Sequence, residues 1–215
     1  MEGFEEIKGM YVEAHKKHGD SPASLLTPKG RSHLRFRSTR QVIDKNGLKI
    51  LDYGCGLGYL YEYLSKIDYS VEYTGVDIVP QFIESCKAKY PNVQFNVIDP
   101  NLSIDGEFNI VFASGVFNLM THESEVISKD YALERIEYLF SLTNNILVCD
   151  FLSSLVDFKQ PKAQHFSPSE IFEFCSKNLS RRFQLRHDLL PYEMTLLAWK
   201  NDDIKRPDNI YAIDG

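Results

Sequence analysis

Between Asp52 and Gly58 the chain reads Asp-Tyr-Gly-Cys-Gly-Leu-Gly, an acid followed by three glycines at alternate positions. Glycine has no β-carbon, so such a turn lets a ligand approach backbone that side chains would otherwise cover. A second acid, Asp77, stands 25 residues after Asp52 in Gly75-Val76-Asp77-Ile78, about one helix and one strand further on. A carboxylate at that point can accept hydrogen bonds from both hydroxyls of a ribose. A third, Asp99, lies in Ile98-Asp99-Pro100-Asn101, where it can accept from the exocyclic amine of an adenine. Acids and glycines together describe a cleft for a ligand that contains a nucleoside. The G-x-G-x-x-G dinucleotide pattern fits poorly, because Gly58 comes one position early and Tyr59 stands where that pattern needs glycine. An acid two residues before the first glycine would also sit badly against a pyrophosphate, which disfavours an NAD-dependent oxidoreductase.

Such a cleft needs strands that bring the acids to one edge. From Leu48 onward, short β-branched or aromatic runs alternate with longer amphipathic stretches, the pattern of a parallel sheet with crossover helices. Strands are expected over 49–54, 71–78, 93–99, 108–115, 144–152, 182–189 and 192–200, and helices around 59–66, 81–89 and 130–142. Ser167-Pro168-Ser169-Glu170 carries a helix-start signature, with Ser at the cap, Pro in the first turn and Glu three residues on. It predicts a helix over 168–177. Only Leu190-Pro191 joins the last two strands, so they are expected to close the sheet as an antiparallel hairpin. The predicted fold is α/β: a Rossmann-like, doubly wound, seven-stranded sheet, mostly parallel, with an antiparallel C-terminal hairpin strand and helices on both faces.

At 215 residues with 43% hydrophobic and 25% charged side chains, the chain has the composition of one globular domain. Its expected division is an N-terminal helical cap (1–47), a ligand-binding core (48–200) and a tail (201–215). A net charge of -6 opposes broad binding to nucleic acid or an anionic membrane surface. The N-terminal residues show no secretory apolar run, and Cys55, Cys86, Cys149 and Cys175 form no CxxC pair, so a cytoplasmic protein with reduced thiols is expected. Ahead of the sheet, Lys29, Arg31, Arg35, Arg37 and Arg40 occur with no acid between them. The cluster reads either as solvated surface or as a helix face on which Arg31 and Arg35, four apart, meet a carboxylate or phosphate. His15 and His18 have helical spacing but no third ligand in view, and no metal site is expected.

The segments ILDYGCGLG, VDI, NVIDP and FNIVFASGVFN resemble the class I S-adenosylmethionine-dependent methyltransferases over roughly residues 48–200. The resemblance implies S-adenosyl-L-methionine as cofactor and S-adenosyl-L-homocysteine as product. It places Gly54, Gly56 and Gly58 under the methionine portion, Asp52 near its ammonium, Asp77 and Ile78 at the ribose, and Asp99 and Pro100 near the adenine. Ser114 and Gly115 belong to the loop after the fourth strand and complete the expected cofactor contacts, with Arg31 and Arg35 approaching from the N-terminal segment.

The same loop, Ser114-Gly115-Val116-Phe117-Asn118, lacks the D/N/S-P-P-Y/F signature of enzymes that methylate adenine or glutamine nitrogens. Neither a Pro-Cys nucleophile nor a K-D-K-E arrangement is present, so a small acceptor is favoured. GRSHLRF, SGVFNL and LRHDLLPYE are similar to bacterial methyltransferases of surface-polysaccharide and secondary-metabolite pathways. That similarity implies transfer to an oxygen or nitrogen of a small molecule or sugar-type metabolite. Residues expected at the carboxyl edge include His122, Ser153, Asp188 and Glu193. Phe117, Asn118, Phe151 and Tyr192 are the expected substrate contacts, with His187 as the favoured base and His165 next. A metal-assisted route would call on Asp150 and is not expected. The alternative is a catalytically silent domain that binds the cofactor or its product as a regulatory or scaffold subunit.

Overall fold

The computed structural model describes residues 2–27, 31–67 and 69–201. An N-terminal helix α1 (Glu2–His18), a 3-10 turn (Pro22–Leu25), a short α2 (Arg31–Phe36) and a second 3-10 turn (Arg37–Gln41) precede the sheet. Then follow β1 (Leu48–Tyr53), α3 (Tyr59–Leu64), β2 (Val71–Asp77), α4 (Pro80–Lys89), β3 (Gln94–Val97) and β4 (Phe108–Ala113). The chain continues through α5 (Glu125–Ser141), β5 (Thr143–Ser153), β6 (His165–Phe166), α6 (Pro168–Phe174), β7 (Phe183–Leu190) and β8 (Glu193–Trp199). Strand order is β3-β2-β1-β4-β5-β8-β7, with β6 attached to the end of β5. All pairings from β3 to β5 are parallel, while β8 runs antiparallel between β5 and β7.

Apolar patterning explains the layers. Leu48, Ile50 and Leu51 of β1 and Ile110, Val111 and Phe112 of β4 are all buried, the near-continuous burial of strands covered on both faces. On one face Ile136 and Leu139 of α5 and Ile171 of α6 pack against Leu51, Val111 and Leu147. On the other, Leu60 and Leu64 of α3 and Ile83 of α4 meet Ile50, Ile110 and Ile146. The doubly wound architecture is as expected, and all four cysteines are buried thiols outside any disulfide. Among the described residues no helix is long and apolar enough to cross a membrane.

Three details differ from expectation. An eighth strand, the two-residue β6, extends the sheet beside Leu152 and Ser153. Helix α5 starts at Glu125 rather than 130, because Ser124 caps it by accepting the Ile127 N–H at 3.4 Å; Val126 and Ile127 in that first turn are exposed and so carry no core periodicity. Helix α6 has the expected start, the Glu170 carboxylate accepting the Ser167 N–H at 3.3 Å, but ends at Phe174 and continues as a wider π turn over Cys175–Leu179. Lys29 and most of the 201–215 tail lie outside the described residues.

Two expected substrate contacts are core residues instead. Phe151 is fully buried, stacked on Phe117 at 6.1 Å and edge-on to Phe166 at 5.1 Å. Alternation along β5 sends Phe151 into the layer beneath α5 and leaves its neighbour Leu152 to face the cleft. Truncating a side chain in such a place removes its burial and leaves a cavity. Phe151→Ala is therefore expected to lower unfolding free energy by about 3–5 kcal/mol, read from urea denaturation. A loss below about 1 kcal/mol would return Phe151 to the cleft wall.

Candidate active site

At the carboxyl ends of β1, β2 and β4 lies a cavity of about 270 Å³. Its floor is the glycine loop. Gly54, Gly56 and Gly58 adopt φ of +77°, +54° and +74°, a left-handed backbone that L side chains rarely take. A β-carbon on Gly56 would come within 2.8 Å of Leu25, and one on Gly54 within 2.5 Å of Val116. Gly54 and Gly56 line the cavity; Gly58 lies behind it, against Tyr90 and Cys86, and leads into α3.

Asp77 fixes this loop from the end of β2. One carboxylate oxygen accepts the Gly56 N–H at 2.8 Å and the other accepts the Val79 N–H at 2.9 Å, while Gly54 and Cys55 donate to the Val76 carbonyl. Asp77 is 8% exposed, and burial pushes its carboxyl up to about 6 against the pull of those amides. Asp52, on the adjacent strand, is 3% exposed and is pushed by burial to about 7 although the Tyr73 hydroxyl donates to it. Ile78 and Pro100 complete this end of the wall. Asp99 does not: it is exposed, and its carboxylate accepts the N–H of Asn101, capping its own turn at 2.8 Å. Ile98 takes its expected place.

The other end is built by β4, β5, β8 and the N-terminal helices. Ser114, Gly115 and Asn118 line it. The Ser114 hydroxyl donates to Asp150 at 2.7 Å, and Thr195 donates to the same carboxylate at 2.6 Å. Arg35 grips Glu193 through Nε and Nη2 at 2.6 and 2.8 Å, and Arg31 Nε lies 2.6 Å from the same carboxylate. Glu193 and Arg35 are 4% and 8% exposed. The basic cluster divides between its two readings: Arg37 and Arg40 are exposed, while Arg31 and Arg35 meet a carboxylate, and that carboxylate is the protein's own Glu193. Above the cleft, Phe4, Ile7 and Tyr11 present one face of α1, and burial raises the Tyr11 hydroxyl to about 12.

Residues 44–176 match the methyltransferase domain family. The chain belongs to that family. A protein of Mycobacterium tuberculosis named as a methyltransferase, Rv1506c, is 25% identical over 153 residues, 70% of this chain and 92% of its own. Magnesium protoporphyrin IX methyltransferase (ChlM) from Synechocystis PCC 6803, solved with bound SAH, superposes with a TM-score of 0.60 at 18% identity, over 80% of this chain and 83% of that one. A DhpI-SAM-HEP complex gives 0.63 at 13% identity, over 91% and 95%. The expected cofactor, S-adenosylmethionine, is held by the second of these structures and its expected product by the first.

Within this methyltransferase the expected bases stand outside the cavity lining. His187 is exposed on β7, in the irregular stretch between Arg186 and Leu190 on the sheet's outer edge. Its neighbours Arg186 and Asp188, two apart on one strand face, pair with each other at 2.9 and 2.6 Å, which accounts for the Arg-His-Asp run. His165 is 5% exposed on β6, and burial lowers its pKa, but its strand partner Leu152 reaches the cavity in its place. Tyr192 is 41% exposed at the hairpin turn and donates to Asp157 at 2.9 Å. His15 packs against the Phe82 ring at 5.4 Å, and among the described residues no group of three or more metal-ligating side chains forms with it or His18. Of the four expected substrate contacts Asn118 lines the cavity, and of the wider set expected at the carboxyl edge Glu193 does, while His122, Ser153 and Asp188 stand outside the lining. Sequence reasoning missed the α1 stripe, although 4, 7 and 11 are the spacing of one helix face.

The buried acids give a pH test. An ordinary unfolded carboxyl titrates near 4, so between about pH 4 and 7 the folded protein holds protons on Asp52 and Asp77 that the unfolded chain has released. Their stabilising contribution is complete below that range and is lost as pH rises through 6 and 7, by up to about 1.4 kcal/mol per pH unit for each group. Urea melts of ligand-free protein from pH 5 to 8 should show this slope, and Asp52→Asn should flatten it. An unaltered slope in the variant would contradict the assignment.

Proposed function

We propose that this chain is an S-adenosylmethionine-dependent methyltransferase acting on an oxygen or nitrogen of a small molecule or sugar-type metabolite. The observation that carries the reading is Asp77, buried at the end of β2 beside a left-handed glycine loop and in the wall of the one cavity that also holds Asp52. The site fits that cofactor in that Gly54 and Gly56 line the cavity with backbone alone, between the buried acids Asp52 and Asp77. Asp77 would accept the ribose hydroxyls, Asp52 would face the ammonium, and Ile78, Ile98 and Pro100 would flank the base. When bound, S-adenosylmethionine supplies an electrophilic methyl group.

The residues of this chain then act chiefly by holding and enclosing. Much of the barrier to an in-line displacement can be removed by orienting the acceptor's lone pair. Phe4 and Ile7 bring apolar surface over the cleft and exclude water, and Tyr11, which keeps its proton up to about pH 12, can donate a hydrogen bond but not take a proton. Both oxygens of Glu193 are engaged by the Arg31 and Arg35 guanidiniums. The chemistry supported best is therefore positioning, with no dedicated base. The same division bears on the silent-domain alternative, which no observation of the cavity favours.

Calorimetric titration with S-adenosylmethionine and S-adenosylhomocysteine is expected to show binding in the micromolar range, weakened at least tenfold in Asp77→Ala and unaffected in His187→Ala. Folded protein that ignores both ligands but binds NAD would overturn the proposal. A clear loss of turnover in His187→Ala, on an identified acceptor, would restore that residue as the base.

A further inference from the structure

Glu193 faces two arginines, and among the described residues it is the only acid ion-paired with either. Arg35 spends Nε and Nη2 on it. Its third nitrogen, Nη1, is turned the other way, to within 2.8 Å of the point where a β-carbon on Gly115 would stand. The Asn118 amide nitrogen lies 3.8 Å from that same point. Asn118 Oδ1 is buried with no hydrogen-bond partner among the described residues. Gly115, with φ of +76°, keeps the space open. Arg31 reaches the same wall with 27% of its side chain exposed.

The position in the sheet assigns these donors to one end of the cavity. Glu193 pairs with Leu152 at the end of β5, three strands from β1, and on the opposite side of β1 from Asp77. Gly115, beside which the donors converge, follows β4, the neighbour of β1 on the side away from β2 and Asp77. The nearest further carboxylate, Asp150, is outside the lining and is occupied by the Ser114 and Thr195 hydroxyls. Asp150 acts on Arg35 through space and balances part of its charge, but among the described residues it makes no ion pair with either arginine, so Arg31 and Arg35 keep N–H donors facing the cavity that Glu193 does not take up.

We infer that the methyl acceptor carries an oxyanion, a carboxylate or a phosphate, received by Arg31, Arg35 Nη1 and the Asn118 amide beside Gly115. Guanidinium and amide N–H groups suit such an anion because they donate in fixed planes. The inference rests on the methyl-transfer reading of the same cavity. It names a substrate class which that reading leaves open.

The test is calorimetry on the full chain saturated with S-adenosylhomocysteine, using two matched pairs: 4-hydroxybenzoate against 4-hydroxybenzamide, and glycerol 3-phosphate against glycerol. At least one acid should bind tenfold or more tightly than its neutral partner. Whichever pair responds separates carboxylate from phosphate. Arg31→Gln should remove the preference while S-adenosylhomocysteine affinity stays within twofold, and Asn118→Asp, which puts a negative charge at the point of convergence, should abolish acid binding in protein with an unchanged melting temperature. Equal binding of acid and neutral partner, or no binding of either acid, overturns the inference. So does a tenfold loss of S-adenosylhomocysteine affinity in Arg31→Gln, which would give the guanidinium to the cofactor's own carboxylate. Wild-type protein that prefers an acid but binds no S-adenosylhomocysteine would refute the methyl-transfer reading and leave the anion site standing.

Discussion

A carboxylate cut off from water must find donors, and at Asp77 they are the backbone N–H groups of Gly56 and Val79. Much of the site follows from that pair of bonds. One end ties the glycine loop to the tip of β2; the other fixes Val79, the residue that leads into α4. The loop can lie so close only because its glycines accept positive φ, and the thiol of Cys86 secures it from below by donating to the Gly56 carbonyl at 3.3 Å. Asp52 sits one strand away in register with Gly75, whose missing side chain admits the Phe95 ring and Cys55 beneath the loop. Both acids carry a cost of burial, visible in the upward displacement of both pKa values, and the Asp77 charge adds a smaller push at Asp52. A ligand bearing hydroxyls and an ammonium would relieve that cost.

The second constraint is the direction of β8. Because it runs against β5, its first residue, Glu193, arrives at the carboxyl edge, level with the end of β5. A parallel strand in that position would have delivered its last residue there instead. Glu193 then gives Arg31 and Arg35 a reason to fold inward from α2, and a segment that reads as surface charge becomes cavity wall. The structure thus joins an end governed by backbone amides and carboxylates, around Asp77 and Asp52, to a second end governed by guanidiniums.

What was legible in the chain followed from local chemistry. Glycines at alternate positions, acids at strand ends and the Ser167 cap act over a few residues, so the sheet, the loop and the roles open to Asp52 and Asp77 could be read directly. The strand-end rule was too coarse for side chains, however: residues at one edge alternate between cleft and core, and Phe151 and Leu152 are adjacent with opposite fates. The histidines misled because residue type was weighed ahead of position; His187 belongs to an edge strand whose irregular stretch is occupied by its own Arg186–Asp188 pair. Asp99 misled for a related reason, since an aspartate before proline and asparagine can satisfy itself locally. The α1 stripe was present as a 4, 7, 11 spacing, but nothing within one helix says what its apolar face covers. Glu193 was visible as an edge residue, while its partners lie at the far end of the chain.

That separation bears on how the protein comes into being. Arg35 and Glu193 are 158 residues apart, so the contact closes nearly the whole length of the described chain. During synthesis the N-terminal helices, the glycine loop and the strands from β1 to β5 emerge first and can pair in turn, with short connections and little loop entropy between them. The arginines must wait. Until β8 leaves the ribosome and slots between β5 and β7, α2 has no carboxylate to fold against and the second wall of the cavity does not exist. The glycine-loop end is in this sense an early structure and the guanidinium end a late one, completed only by the last strand of the sheet.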